Sequence, residues 1–160
     1  MQGGFDMRTI DLHAYPGTQV WIDSQGPFAR ALGDYWGKQW TGKAEADVLS
    51  DFEEAGVEPV LVALDIEGVF GAPPCSNDYV TELRDRYPKQ ILQAWGTVDP
   101  LKGEAAVEEA TRAVNDLGVL GFHFHPIVGR YSVDDTSLYP LWETISALKV
   151  PVMIDVGTTG

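Results

Sequence analysis

Five short apolar runs, each followed by a stretch whose apolar residues recur at helical spacing, limit this chain to very few folds. The runs cover residues 8–13, 59–65, 91–99, 119–125 and 150–155, lengths that suit strands rather than buried helices. Val48, Leu49, Phe52 and Ala55 fall on one helical face, with Thr41 as the expected N-cap and Gly56 as the stop. Ser76 or Asn77 caps a second helix through Val80, Leu83 and Tyr87 that Pro88 closes. A third spans residues 104–117, with Ala106, Ala110, Ala113, Val114 and Leu117 in register and Gly118 after it, and Pro140 opens a fourth through Leu141, Ile145 and Leu148. Strands alternating with helices of these lengths predict an α/β fold with parallel strands and right-handed crossovers.

Parallel β/α proteins carry their chemistry at the C-terminal ends of the strands, where loops vary over a rigid sheet. Here the runs finish on His13, Asp65, Asp99, His125 and Asp155, and all three histidines of the chain sit at such endings. The strand patterns separate two architectures. A doubly wound open sheet has near-continuous apolar strands, whereas a barrel strand turns alternate residues toward its lumen. In residues 121–125, Gly-Phe-His-Phe-His, a period of two puts His123 and His125 on one face and both phenylalanines on the other. Ile10 and Leu12 likewise oppose Asp11 and His13. The pattern predicts a parallel (β/α) barrel of TIM type. A full barrel needs about 250 residues, so the 160 residues here are expected to form one partial barrel of five strands. Such a half-barrel leaves two strand edges bare, which predicts a homo-oligomer or a second chain completing the barrel.

Eleven basic against 24 acidic residues give a net charge of −13, which repels a phosphate backbone, and no basic patch offsets it; nucleic acid is excluded as a partner. No apolar stretch approaches the roughly 18 residues of a membrane span, and the N-terminus lacks the basic start and apolar centre of a signal peptide, so a cytoplasmic, membrane-free protein is expected. Cys75 has no second cysteine to pair with and reads as an incidental loop thiol. Residues 16–42 form an aromatic-rich insertion after the first strand, holding Trp21, Phe28, Tyr35, Trp36 and Trp40. A segment this long is expected to contain a short helix, over residues 28–35, and either to cover the strand ends as a lid or to bury its rings against the sheet. Pro16-Gly17-Thr18 is not a phosphate loop, which argues against a nucleotide-binding fold.

The blocks Ile10-Asp11-Leu12-His13-Ala14-Tyr15-Pro16, Asn77-Asp78-Tyr79-Val80, Val98-Asp99-Pro100, residues 121–127 (Gly-Phe-His-Phe-His-Pro-Ile), Leu138-Tyr139-Pro140-Leu141 and residues 151–160 occur in an order that resembles the amidohydrolase-related family, in the branch of 2-amino-3-carboxymuconate-6-semialdehyde decarboxylase. The resemblance implies a metal-dependent barrel enzyme and a divalent metal, zinc first and manganese second. It implies ligands from a D-x-H-x-H motif on strand one, a histidine on a middle strand and an aspartate on strand eight. By that pattern His13 matches the first histidine, Tyr15 replaces the second, and Asp155 stands where the strand-five histidine is usual. The expected metal ligands are therefore His13, Asp11 and Asp155, although the substitutions at positions 15 and 155 also leave room for a site without metal. His123 occupies a position where relatives commonly carry lysine. His123, His125 and Asp155 are the expected catalytic residues, and Tyr15, Trp21, His123 and Arg130 the expected substrate contacts. Asp65 and Asp99 are expected to satisfy loop amides.

Two functions compete. The first is hydrolysis or nonoxidative decarboxylation of a small carboxylated or cyclic substrate. The second is a noncatalytic or truncated half-barrel that serves as an oligomerising or binding subunit.

Overall fold

The computed structural model describes residues 8–157; residues 1–7 and 158–160, which include the end of the Gly-Thr-Thr-Gly block, lie outside them. Five strands form in the five predicted places: β1 (Thr9–Ala14), β2 (Val57–Val62), β3 (Gln93–Trp95), β4 (Phe122–Phe124) and β5 (Val152–Ile154). Every pairing between them is parallel: β1 with β2, β2 with β3, and β4 with β5. A parallel bridge between Gly96 and Phe122 joins the two sets, so the spatial order follows the chain order. β3, β4 and β5 are shorter than the apolar runs that hold them; after β3 the ladder is reduced to the single Gly96–Phe122 bridge, and the Thr97 amide donates to Asn77 Oδ1 instead.

The helices are α1 (Gln19–Ser24), α2 (Pro27–Trp36), α3 (Glu45–Ala55), α4 (Glu67–Phe70), α5 (Asn77–Arg86), α6 (Glu104–Asn115), α7 (Pro126–Gly129) and α8 (Tyr139–Leu148). Residues 16–42 hold two helices where one was expected. The N-cap expected at Thr41 is corrected to Ala44, because the backbone just after Thr41 is already engaged. The Gly42 amide donates to Gln19 Oε1 at 3.1 Å and the Lys43 amide to the Gly17 carbonyl at 3.0 Å. This clasp brings the end of the insertion back to its beginning. A Cβ at Gly42 would lie 2.0 Å from the Gln19 nitrogen. Gly42→Ala is accordingly expected to lower stability by about 2 kcal/mol, measured as a shift in the urea midpoint; an unchanged midpoint would rule out the close approach.

Two apolar clusters line one face of the sheet, because the Leu61–Ala94 register and the Gly96–Phe122 bridge put these residues on the same side. In the first, Leu49 of α3, Val80 and Leu83 of α5, and Leu61 and Ala94 of the strands pack together. In the second, Phe122 and Phe124 of β4 meet the alanine stripe Ala106, Ala110 and Ala113 of α6 and Leu141 and Ile145 of α8. The small residues of α6 let it approach closely enough for both phenylalanine rings to be enclosed. Since β4 alternates, burying the phenylalanines in that layer turns His123 to the opposite face.

Buried polar groups fix the strand ends. Asn77 donates to the Thr97 carbonyl (3.0 Å) and Glu109 Oε1 (2.7 Å) and accepts from the Thr97 amide (2.8 Å), while Thr97 Oγ1 donates to the His123 carbonyl at 2.8 Å. The start of α5 is thereby tied through the end of β3 to the backbone of His123. Asp99 accepts from the Gly68 and Leu101 amides at 2.8 and 2.9 Å. Asp65 accepts from the Glu67 amide at 3.2 Å and pairs with Lys102. Both carboxylates hold loops. At the margins of the sheet β1 and β5 each keep one unpaired edge among the described residues, and Ile10 and Leu12 are 43% and 52% exposed. No helix among the described residues is long and apolar enough to cross a membrane.

Candidate metal centre and aromatic cavity

Three strand ends deliver His13, His123 and Asp155 to one place. His13 is near the end of β1, His123 is the middle residue of β4, and Asp155 follows β5. One donor atom from each lies within 4.8 Å of the others. Two donors on a tetrahedral zinc stand about 3.4 Å apart, so the widest pair has to draw in by roughly 1 Å for the group to share one ion. The His13 and His123 rings are 4.6 Å apart between centroids and inclined at 49°. Nε2 of His13 and both ring nitrogens of His123 are buried without a hydrogen-bond partner. Orphaned imidazole nitrogens beside a carboxylate are the donor set that a divalent cation satisfies.

Burial holds His123 in its neutral form, with its pKa lowered to about 4; the neighbouring His13 and His125 act in the same direction. Burial also lowers the pKa of His125, against the pull of Asp155. An unfolded chain takes up these protons near pH 6.5 whereas the folded one resists them, so the folded state loses ground as pH falls from that value toward 4. In chelator-treated protein, His123 alone is expected to remove about 2 kcal/mol of stability between pH 7 and pH 5. Urea melts at the two pH values check this, and equal midpoints would contradict a buried neutral imidazole.

The remaining expected site residues fall into two sets. His125 joins the group: its Nε2 is 3.3 Å from Asp155 Oδ2, while its Nδ1 is buried and unpartnered. Tyr15 meets His13 edge-on at 4.8 Å and lies 4.6 Å from Trp21. Burial, with Asp155 nearby, pushes the Tyr15 phenol up to about 12, so it stays protonated at neutral pH. Asp11 and Arg130 stand apart. Asp11 is outside the three-residue group, and its Oδ1 accepts from the His13 amide at 2.8 Å, which fixes the backbone behind His13. Arg130 caps α7 in a left-handed conformation, with its guanidinium 5.6 Å from the centre of the Phe70 ring.

Beside Asp155 and His125 opens a cavity of about 290 Å³ walled by Tyr15, Trp21, Phe28, Trp36 and Trp40, with Gln25 among the few polar groups. The Trp21 and Trp40 rings stack at 6.3 Å, and Trp40 and Trp36 at 5.6 Å. The aromatic insertion therefore both packs on the sheet and roofs the strand ends, combining the two expected alternatives. Among the described residues no lysine or arginine lines this cavity. A larger groove, about 860 Å³, lies along α1 and α2 and includes none of the histidines. Trp36 and Trp40 were legible as part of an aromatic segment, but their place in the wall depends on the Gly42 clasp, which leaves no sequence signature. His123 was expected to touch substrate; its place among the donor groups follows from the same alternation that pairs it with His125.

The family model described as Amidohydrolase matches residues 10–160. No curated protein sequence matches the chain. Among solved structures, 5-carboxyvanillate decarboxylase from Sphingomonas paucimobilis aligns over 93% of this chain and 52% of its own, with a TM-score of 0.70 at 17% identity. The same enzyme from Novosphingobium aromaticivorans, solved with bound manganese, aligns over 93% and 51% with a TM-score of 0.68 at 17% identity. A 2,6-dihydroxybenzoate decarboxylase in complex with 2,6-dihydroxybenzoate aligns over 90% and 48% with a TM-score of 0.60 at 22% identity. The chain thus spans about half the length of these structures, and at such identities the likeness establishes a shared fold.

Proposed function

Because this chain belongs to the amidohydrolase family, which its match over residues 10–160 shows, we propose that it forms the first five β/α units of a TIM-type (β/α)8 barrel enzyme. In this reading the enzyme carries out metal-assisted nonoxidative decarboxylation of a small carboxylated ring compound, with hydrolysis as the related alternative. The convergence of His13, His123 and Asp155 on one point carries the proposal. The decarboxylases of shared fold support the reaction class, and the manganese in one of them supports a divalent ion. Zinc suits two imidazoles and a carboxylate equally well. The bare edges of β1 and β5 support completion of the sheet by further β/α units, from this or another polypeptide.

His13, His123 and Asp155 would hold the ion, which when bound supplies a Lewis acid to polarise a substrate oxygen or lower the pKa of water. The chain's own groups do the rest. Asp155 draws the Nε2–H of His125 toward itself, which leaves the lone pair on Nδ1, so Nδ1 is the atom at which His125 takes up or releases a proton. The aromatic walls receive the flat apolar part of the substrate and exclude water from it. With no cationic side chain in the cavity lining, the substrate carboxylate belongs at the metal end.

The test is purified full chain loaded with zinc or manganese and offered a panel of aromatic and cyclic carboxylic acids, with carbon dioxide release and loss of ring-acid absorbance followed together. Metal-dependent turnover that His13→Ala abolishes is the expected result. A protein that retains neither metal at micromolar concentration would sink the proposal.

A further inference from the structure

A carboxamide stands in the aromatic roof of the cavity. Gln25 is 3% exposed and lines the cavity among Trp21, Phe28, Leu32, Trp36 and Trp40. Its side chain does almost nothing for the fold. Nε2 donates to the Trp21 carbonyl at 3.5 Å, the outer limit of a hydrogen bond, and that carbonyl already accepts the Ser24 hydroxyl at 2.8 Å. A carbonyl only accepts, so the NH2 end is the one that faces Trp21, and Oε1 is turned away from it. Among the described residues Oε1 accepts no hydrogen bond, and it is not enclosed as the indole N–H groups of Trp21 and Trp40 are. It therefore opens on the cavity.

The corner that presents this oxygen is fixed. Gln25 closes α1, with its amide donating to the Ile22 carbonyl at 3.2 Å. Gly26 follows at a φ of +52°, where a Cβ would stand 3.0 Å from that of Ala72. An open acceptor held still in an apolar wall is costly unless something inside the cavity donates to it. The floor of the cavity carries His125 and Asp155 from the strand ends, where the substrate carboxylate and the metal belong in the proposed function. Among the described residues the one lining side chain with a fixed charge is Asp155, an anion. A second anionic group of the substrate, placed under the roof, would meet an acceptor oxygen and aromatic faces with no cation to balance it. We propose that Gln25 sets the specificity of the cavity: its Oε1 receives a hydroxyl or amino group on the ring edge remote from the substrate carboxylate, so that ring monoacids with a hydrogen-bond donor there are taken in preference to ethers and diacids. The inference rests on the proposed function and narrows its substrate class.

Isothermal titration calorimetry of the manganese-loaded full chain tests this with benzoates that differ in one group at the 3 or 4 position. The better of the two hydroxybenzoates, and of the two aminobenzoates, is expected to bind about tenfold more tightly than the matching methoxybenzoate, the span of one hydrogen bond. Isophthalate and terephthalate are expected to bind more weakly still. In Gln25→Leu, which keeps the bulk of the side chain without its acceptor, the hydroxyl-over-methoxy ratio is expected to fall to within about twofold of one. Circular dichroism checks that the variant folds, and Gln25→Met is the second variant; if neither folds, the ratio in the wild type alone can still overturn the proposal. Equal binding of hydroxy- and methoxybenzoates by the wild type, no binding of either, tighter binding of the diacids, or a preference retained by a folded variant would overturn the role of Gln25 while leaving a metal-dependent enzyme standing. A wild type that holds neither manganese nor zinc fails the proposed function, and this inference with it.

Discussion

Replacing His13 with alanine is expected to weaken zinc or manganese binding by about a thousandfold, read by chelator competition on purified protein. The size of the effect follows from the donor count. Disturbing a group that merely orients a ligand costs about 10- to 100-fold in metal affinity, and removing one of only three protein ligands costs more. His125→Ala provides the internal scale, since His125 touches Asp155 and not the shared point; a loss near tenfold is expected there. The fold should be indifferent to His13→Ala, because the amide of residue 13, not its ring, is what Asp11 engages. Equal affinities for wild type and His13→Ala would place the ion elsewhere or nowhere.

The second large effect is structural. Phe122→Ala is expected to lower stability by about 4 kcal/mol, measured by urea denaturation. Phe122 is fully enclosed between the alanine stripe of α6 and the leucine and isoleucine of α8, and the helices that confine it are tied to neighbouring elements, so the vacated volume collapses only in part. The same substitution should reach the metal site. Phe122 precedes His123 in a three-residue strand that pairs with β5 through Phe122–Val152 and His123–Met153, and loosening that strand moves His123 and the approach to Asp155 together. A modest rise in metal dissociation should therefore accompany the lost stability. A variant with wild-type midpoint would show that the layer repacks freely.

Much of this architecture is legible in the sequence because the strand and helix periods differ. The spacing of Ala106, Ala110 and Ala113 fits only a helix, and the alternation of Phe122, His123, Phe124 and His125 fits only a strand with two unlike faces. The convergence of His13 and Asp155 is legible too, since parallel strands in sequence order bring their ends to one rim. What the sequence withholds are contacts made by backbone. The clasp of Gly42 on Gln19 displaces the start of α3 from Thr41 and folds Trp40 back beside Trp21, and no residue preference announces it. Arg130 shows the converse. Expected to contact substrate, it caps α7 and covers Phe70. Asp11, which the family resemblance puts among the ligands, spends one of its oxygens on a backbone amide.

The stacked indoles of Trp21, Trp40 and Trp36 make up three of the five tryptophans in the chain and surround a single cavity. Most of the intrinsic fluorescence of this protein therefore originates at the mouth of its candidate reaction chamber. A guest that slips between those rings should dim or shift the emission without any dye, giving a direct gauge of occupancy before a single turnover is measured.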